Sequence, residues 1–313
     1  PSHLDILLCL ALCYSEQEEY EQTEIYLKRY IEHEPHNTVA LSLFAQTLAA
    51  QGKIHELPSL KLQIKQIIDS GSFQPFDPML GQILFQDLSL QNAISQRWTK
   101  QYSKATTYQH PNVSRSKKIT IGYISPDFTT HPIGLLVKGL FELHDRSLFN
   151  VIGFPTVKHQ SSAYNSIVKG FDNIYLLEGL SSKKAAEIIF NQGVDILIDL
   201  TGPTSDDNYD ILSYQPAKIQ AHYLSTMCSL QAKFIQVFFS TKTITPDHLL
   251  PFYNETVIRL KHYIGVAPFQ IPEEKPSRRE YNLLETSPLN GFSGLVSNHN
   301  KSFNLTIGST ASE

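Results

Sequence analysis

Residues 118–132 read Lys-Ile-Thr-Ile-Gly-Tyr-Ile-Ser-Pro-Asp-Phe-Thr-Thr-His-Pro, and this stretch decides the fold of the chain. Its large apolar residues alternate with small ones, a pattern typical of a strand covered on both faces of a sheet. Pro126 then ends the strand. Ligands of open α/β sheets bind outside the carboxyl ends of the strands, so we expect Asp127 and His131 to lie where chemistry is normally done.

His131 has two interpretations from spacing alone. A histidine near a helix start is often a cap or a surface side chain. An imidazole with an ordinary pKa of about 6.5 also suits proton transfer at neutral pH, which is the catalytic interpretation.

From residue 118 onward, strand-like runs alternate with helix-like segments, which indicates parallel β-α-β units. The predicted strands are 118–124, 149–154, 174–177, 194–200, 219–224 and 234–240, and the predicted helices are 133–144, 161–169 and 182–192. The strand 194–200 is followed by Thr201-Gly202-Pro203-Thr204-Ser205, a second loop at the same sheet edge as His131. Two such loops at one edge predict a pocket there.

The first fifty residues repeat themselves weakly. Three pairs of identical residues recur at a spacing of 34: Pro1 and Pro35, Leu7 and Leu41, and Ala11 and Ala45. This is the tetratricopeptide period, although a plain helical hairpin would show similar leucine spacing. We predict helical repeats over 1–68 and a helical connector over 69–117, in which Trp98 packs rather than stacks on a ligand.

The cysteine content and the net charge argue against several classes of function. Among 313 residues, the three cysteines Cys9, Cys13 and Cys228 are too few for a disulfide framework, and their spacing is not that of metal ligands. We expect Cys9 and Cys13 to be core residues. The net charge of −4 comes without a basic cluster, which argues against nucleic-acid binding.

The chain has no apolar run of the roughly 18 residues that a membrane span needs, and its start lacks the basic region of a signal peptide. We therefore expect a cytoplasmic protein with no membrane contact. A first residue other than Met suggests a fragment.

Four ordered motifs resemble the protein O-linked N-acetylglucosamine transferases, the SPINDLY-like group of glycosyltransferases. The motifs are the strand and loop ending at His131-Pro132, the junction 143–153, the strand 193–200 with Gly202 and Thr204 after it, and the segment 215–220. The resemblance implies helical hairpins followed by a Rossmann-like parallel-sheet domain over 118–265, the first half of a two-domain sugar-transferase fold. It also implies that residues 266–313 are a truncated, poorly ordered start of the donor domain.

The resemblance further implies a uridine-diphosphate sugar as co-substrate, with no cofactor and no metal. A protein or peptide acceptor would reach the cleft along the helical repeats, and a second chain is a possible source of the donor site. His131 and Asp127 are the implied catalytic residues. The implied substrate-binding residues are Pro132, Gly202, Thr204, Gln220, Leu224, Ser225 and Thr226.

The chain departs from the family pattern at three places. Its Gly202-Pro203-Thr204 stands where the family has Gly-His-Thr, and Gln236 stands where the family has an aspartate. The glycine-rich Leu-Gly-Tyr-Pro-Gly-Thr-Thr-Gly loop is replaced by residues 224–230, which contain no glycine. Glycines allow positive φ and close approach of the backbone to a ligand, so this replacement bears directly on activity.

Three hypotheses follow. The first is an enzyme that transfers N-acetylglucosamine, or fucose as in related members, to Ser or Thr of proteins, and that is incomplete in this chain. The second is a non-catalytic polypeptide-binding module with a degenerate α/β half. The third is a gene fragment whose last residues are not evolved sequence.

Overall fold

The computed structural model describes residues 3–71, 76–102, 107–110, 118–204 and 207–262. The predicted donor-domain start at 266–313 lies outside these residues. The amino-terminal part is helical, with α1 (His3–Glu16), α2 (Tyr20–His33), α3 (Thr38–Ala50), α4 (Leu57–Asp69), α5 (Pro78–Leu84), α6 (Leu88–Lys100) and a 3₁₀ turn at Ile54–Glu56.

The first four helices pack in succession, each against the next. Residues that recur at the 34-residue spacing fill equivalent core positions, since Leu7 and Leu41 are buried and Ala11 and Ala45 are fully buried. Small alanines at these positions let neighbouring helices approach closely. The helical hairpins are therefore present, and their assignment as tetratricopeptide repeats stays a prediction.

The prediction that Cys9 and Cys13 are core residues is wrong, because both are exposed. Leu7 and Ala11 define the buried face of α1. A helix turns by about 100° per residue. Cys9 therefore lies roughly opposite Leu7, and Cys13 lies roughly opposite Ala11, on the outer face of the helix.

The α/β part contains a parallel sheet of seven strands within the described residues. The strands are β1 (Ile119–Ser125), β2 (Phe149–Pro155), β3 (Asn173–Ile174), β4 (Ile196–Asp199), β5 (Ile219–His222), β6 (Val237–Thr241) and β7 (Thr256–Leu260). Their order is β3-β2-β1-β4-β5-β6-β7. This order extends the Rossmann arrangement by one strand, so the predicted fold class is confirmed.

Apolar side chains cover both faces of the sheet, as the pattern of residues 118–132 predicts. Ile124 and Leu197 belong to one core cluster, and Ile121 and Ile198 belong to the other. Because side chains alternate along a strand, one buried strand supplies both clusters. The helices of this part are α7 (Pro132–Val137), α8 (Ser162–Val168), α9 (Ser182–Asn191) and α10 (Tyr209–Leu212), with 3₁₀ turns at Phe141–Leu143 and Asp247–Phe252.

Some predicted boundaries differ from the structure. The predicted helix 133–144 ends at Val137, because the chain reaches Gly139 with a φ of 86° before a short 3₁₀ turn. In place of the predicted strand 174–177, the structure has the two-residue edge strand β3, Asn173–Ile174. Strand β7 was not predicted, since it is an edge strand in which Ile258 is exposed, and it lacks the apolar run of a central strand.

One contact between helix α6 and the α/β part is made at the partly buried carboxylate of Asp207. Trp98 Nε1 and the Tyr102 hydroxyl both donate to Asp207 Oδ2, at 3.2 Å and 2.9 Å. Trp98 also packs against the core, which agrees with its predicted role. Burial raises the pKa of Asp207 to about 6, against the opposite effect of these hydrogen bonds.

This raised pKa makes stability depend on pH. The unfolded chain releases the aspartate proton near pH 4, whereas the folded protein releases the Asp207 proton at about pH 6. The stabilisation from Asp207 is therefore complete below about pH 4 and falls as the pH rises to about 6, by at most about 3 kcal/mol. We expect the wild type to lose stability relative to Asp207→Asn over this range, measured by urea unfolding.

Asp210→Asn is the matched control, because Asp210 is exposed and lies three residues away. Its pH profile should follow the wild type. Parallel profiles for the wild type and Asp207→Asn would contradict the assignment.

Candidate functional site

The edge of the sheet at the carboxyl ends of β1 and β4 carries the candidate site. Strand β1 pairs with β2 on one side and with β4 on the other, and Ile124 is in register with Asp199. The connections run in opposite directions from this point, toward β3 on one side and toward β7 on the other. Such a switch point opens a crevice in which doubly wound sheets bind ligands. The loops that carry His131 and Gly202 begin here.

His131 caps helix α7, and its ring stays about half exposed. Ile133 N–H donates to His131 Nδ1 at 3.3 Å, and the same nitrogen lies 3.5 Å from Asp127 Oδ2. A neutral ring uses Nδ1 as the acceptor of the cap and leaves Nε2 as the donor. A protonated ring directs an Nδ1 proton toward Asp127. The cap therefore requires a neutral ring, and uptake of a proton would replace the hydrogen bond from Ile133 with a contact between Nδ1 and Asp127.

Helix α7 lies very close to the loop that precedes it. A Cβ at Gly134 would come within 2.4 Å of Asp127 O and 2.3 Å of Thr129 O. Only glycine permits this approach. Pro132 occupies the first turn of the helix. The result is a short, tightly packed turn that holds His131 and Asp127 close together at the end of β1.

Asp199 organises the loop after β4. This side chain is fully buried, and it accepts hydrogen bonds from Thr201 N (3.2 Å), Gly202 N (2.9 Å) and Asn208 Nδ2 (3.1 Å). The amide of Asn208 also donates to Thr201 Oγ1. Sequence reasoning did not identify Asp199 as a site residue. An acid at the end of a buried strand, just before a glycine loop, was the available signal.

His222 is the second residue that sequence reasoning missed. It ends β5, is fully buried, and lies with Nδ1 3.4 Å from Asp199 Oδ2. Its Nε2 lies 2.9 Å from Leu224 O. Both ring nitrogens therefore face oxygen atoms, and the imidazole links the end of β4 to the loop after β5.

Gly202 lies against this link. Its φ is 67°, and a Cβ there would come within 2.3 Å of Ser225 Oγ and 2.9 Å of His222 Cε1. The structure thus brings together two predicted substrate-binding residues, Gly202 and Ser225. Thr204 lies two residues further on and is partly exposed.

The backbone of the loop after β5 adopts positive φ angles that favour glycine, although residues 224–230 contain no glycine. Leu224 has a φ of 71° and Ser225 a φ of 28°. Such angles are uncommon for non-glycine residues, and Leu224 is not of a type that adopts them readily. Ser225 Oγ is buried and has no hydrogen-bond partner among the described residues. The loop therefore combines backbone strain with an unsatisfied hydroxyl group.

The other predicted substrate-binding residues lie deeper. Gln220 is fully buried, and its Nε2 donates to Leu212 O and Phe234 O. Thr226 is buried too, with its hydroxyl against the amide of Gln82 on α5, at 2.6 Å and 2.9 Å. In these positions both side chains hold the fold together. A contact of either one with substrate stays a prediction.

Two observations concern metals and membranes. Within the part of the chain that the structure describes, no three His, Cys, Asp or Glu side chains are grouped as metal ligands. Over the same residues, every helix is too short or too polar to cross a lipid bilayer.

The contact at Gly202 gives a testable comparison with Gly193. Both glycines have positive φ, but a Cβ at Gly193 would meet nothing within 4 Å. We expect Gly193→Ala to lower the free energy of unfolding by about 1–2 kcal/mol through backbone strain alone. Gly202→Ala should cost about 1–3 kcal/mol more, because the new methyl group meets Ser225 and His222. Urea unfolding measures both losses.

Ser225→Gly in the Gly202→Ala background is the rescue variant. It removes the hydroxyl oxygen and relieves the positive φ, so it should recover part of the extra loss. Equal losses in the free energy of unfolding for the two alanine variants would show that Ser225 and His222 do not exclude a side chain at position 202.

Known proteins resemble this chain in sequence and in fold. The family model described as glycosyl transferase family 41 matches residues 93–269. A probable UDP-N-acetylglucosamine–peptide N-acetylglucosaminyltransferase SEC of Arabidopsis thaliana is 27% identical over 54% of this chain and 18% of its own length. The SPINDLY relative of Oryza sativa subsp. japonica is 30% identical over 41% of this chain and 14% of its own length.

A solved structure has the same fold. The O-GlcNAc transferase of Thermobaculum terrenum, solved as a K341M mutant, superposes with a TM-score of 0.69 at 18% identity. The match covers 84% of this chain and 52% of that one. This chain therefore spans less than a fifth of the two curated relatives and about half of the solved structure. Because the family model covers more than half of its residues, the chain belongs to glycosyl transferase family 41.

Proposed function

We propose that this chain takes part in the transfer of N-acetylglucosamine from a uridine-diphosphate donor to Ser or Thr hydroxyl groups of a polypeptide. The observation that carries the proposal is the position of His131 and Asp127 at the carboxyl end of β1, beside the loop of Gly202 at the switch point of the sheet. The names of the relatives support the donor and the peptide acceptor.

His131 is the proposed polar group at the acceptor. As the acceptor oxygen attacks the anomeric carbon, the bond from that carbon to the diphosphate breaks and the hydroxyl proton must leave. The half-exposed ring of His131 is accessible to such a proton. Asp127 Oδ2 lies 3.5 Å from Nδ1, so this carboxylate is the proposed group that orients the ring.

A single acid or base does not account for a full enzymatic rate. A positioned proton-transfer group contributes about 10²- to 10⁴-fold, whereas enzymes reach about 10⁶-fold or more. Orientation of the donor and stabilisation of its departing diphosphate supply most of the remainder. A second Rossmann-like domain is the proposed site of most of this work, and the resemblance of residues 290–301, outside the described residues, to the first strand and turn of such a domain supports this. A second chain is the other proposed source.

The helical hairpins are the proposed path for the acceptor polypeptide. Helices α3 and α4 share a core cluster with α5 and α6, and these two helices contact the loops after β4 and β5 at Asp207 and Thr226. A polypeptide bound along α1–α4 would thus be held by the same chain that carries His131. N-acetylglucosamine is the proposed sugar, and fucose is the alternative.

The second candidate function is a non-catalytic polypeptide-binding module. The observation that favours it is the loop after β5, where Leu224 and Ser225 adopt positive φ without glycine and Thr226 is bonded to Gln82. A loop closed in this way does not offer its backbone to a ligand. Pro203 is also buried where the family has a histidine.

Calorimetric titration of the whole chain with uridine diphosphate at neutral pH separates the two candidates. We expect binding tighter than about 100 µM if the chain holds a donor site. The titration is followed by transfer assays with UDP-N-acetylglucosamine and a Ser/Thr peptide. His131→Ala should lower transfer by about 10²- to 10⁴-fold and leave donor binding unchanged, because the ring is proposed to act on the acceptor.

His55→Ala is the matched control, since His55 is 81% exposed on the helical part. It should match the wild type in both assays. No heat up to millimolar uridine diphosphate would contradict a self-sufficient enzyme and leave the binding module, or a chain whose donor site lies elsewhere. Full transfer activity in His131→Ala would contradict the role of the ring.

A further inference from the structure

A pocket of about 230 Å³ lies outside the candidate site, where α6 meets the α/β part. Its walls come from α6, from the loop after β5 and from the segment that follows β6. Its lining includes Leu88, Met227, Cys228, Ile244, Leu249 and Phe252. None of them has a role in the proposed transfer reaction.

The wall of this pocket is uncharged and mostly apolar. Every residue that lines it lacks a formal charge. Its polar groups already have partners in the protein, since Asn92 Nδ2 donates to a backbone carbonyl at 2.8 Å and Ser229 Oγ donates to the buried Glu255 at 2.7 Å. The Cys228 thiol donates to Gln91 Oε1. Carbon and sulfur atoms therefore provide most of the contact surface.

We propose that this pocket binds a small uncharged aromatic molecule. An apolar cavity of about 150 Å³ holds benzene in another protein, so this larger pocket admits one ring or two fused rings. A charged group would lose its water without gaining a partner on this wall. Met227 is 52% exposed at the rim and offers a flexible thioether, which makes favourable contacts with ring edges.

The position of the pocket gives such a ligand a structural effect. It would contact α6 and residues 227–229 together, so it would hold the helical part against the loop after β5. That loop also carries Ser225 and Thr226, the predicted sugar-pocket residues. The proposal stands on the pocket alone and does not depend on transferase activity.

Methionine NMR tests the proposal with an internal control. The chain has only two methionines, Met79 and Met227, and only Met227 lines the pocket. We label the methyl groups of the whole chain with ¹³C and titrate it with indole. We expect a saturable shift of the Met227 signal in the millimolar range or below, with Met79 unchanged. Two unmoved signals would overturn the proposal.

A pair of neighbouring variants locates the binding site. Leu249 lines the pocket and Leu250 does not. Leu249→Trp should fill the pocket and abolish the Met227 shift, whereas Leu250→Trp should keep it. A shift that persists in a folded Leu249→Trp protein would place the indole elsewhere and overturn the proposal.

Thiol alkylation keeps the test valid if Leu249→Trp does not fold. Burial raises the pKa of Cys228 to about 11, so its alkylation is slow. A ligand bound against the thiol should slow this reaction further. In a Cys9→Ser/Cys13→Ser protein, Cys228 is the remaining thiol. Saturating indole should slow its reaction with iodoacetamide at least several-fold, and an unchanged rate would overturn the proposal.

A charge comparison tests the ligand class. Benzyl alcohol and benzoate have similar size, but only benzoate is charged at neutral pH. We expect benzyl alcohol to shift Met227 at lower concentration than benzoate. Equal or tighter binding of benzoate would overturn the assignment to uncharged rings. Neither outcome affects the titration with uridine diphosphate, which tests the other site.

Discussion

The pairing of β1 with β4 is the constraint on which the candidate site depends. The sheet is parallel throughout, and its connections reverse direction between these two strands. Their carboxyl ends therefore lie side by side, at the point where doubly wound sheets generally bind ligands. His131 follows one strand and Gly202 follows the other, so residues about seventy positions apart in the chain share one edge. Everything proposed for catalysis begins from this adjacency.

Around this edge the protein uses buried polar groups to shape its loops. Asp199 holds two backbone N–H groups of the next loop, and His222 connects that carboxylate to Leu224 O. Buried polar groups are costly unless they are hydrogen-bonded, so this network restricts both loops to one arrangement. Gly202 fits into the small space left beside it. The strain at Leu224 and Ser225 lies directly against the same network, where glycine would relieve it.

The helical part takes part in the α/β architecture as well. Helix α6 reaches the loop after β4 through Asp207 and the loop after β5 through Gln91 and Cys228. These polar contacts, together with Trp98, set the distance between α6 and the sheet. An uncharged pocket lies between α6 and the α/β part, because the side chains that line it from these two parts are apolar or already hydrogen-bonded.

The sequence by itself determined the parallel sheet, the helical hairpins and the edge at which His131 and Gly202 lie, because these follow from local periodicity, caps and strand ends. It also supported the family assignment through short motifs in order. Only the tertiary structure decided that Cys9 and Cys13 face outward, that Gln220 and Thr226 are bonded inside the protein, and that β7 joins the sheet. The reason is that burial and hydrogen-bond partners depend on residues distant in the chain, such as Gln82 for Thr226 and Asp199 for His222, which no local pattern records.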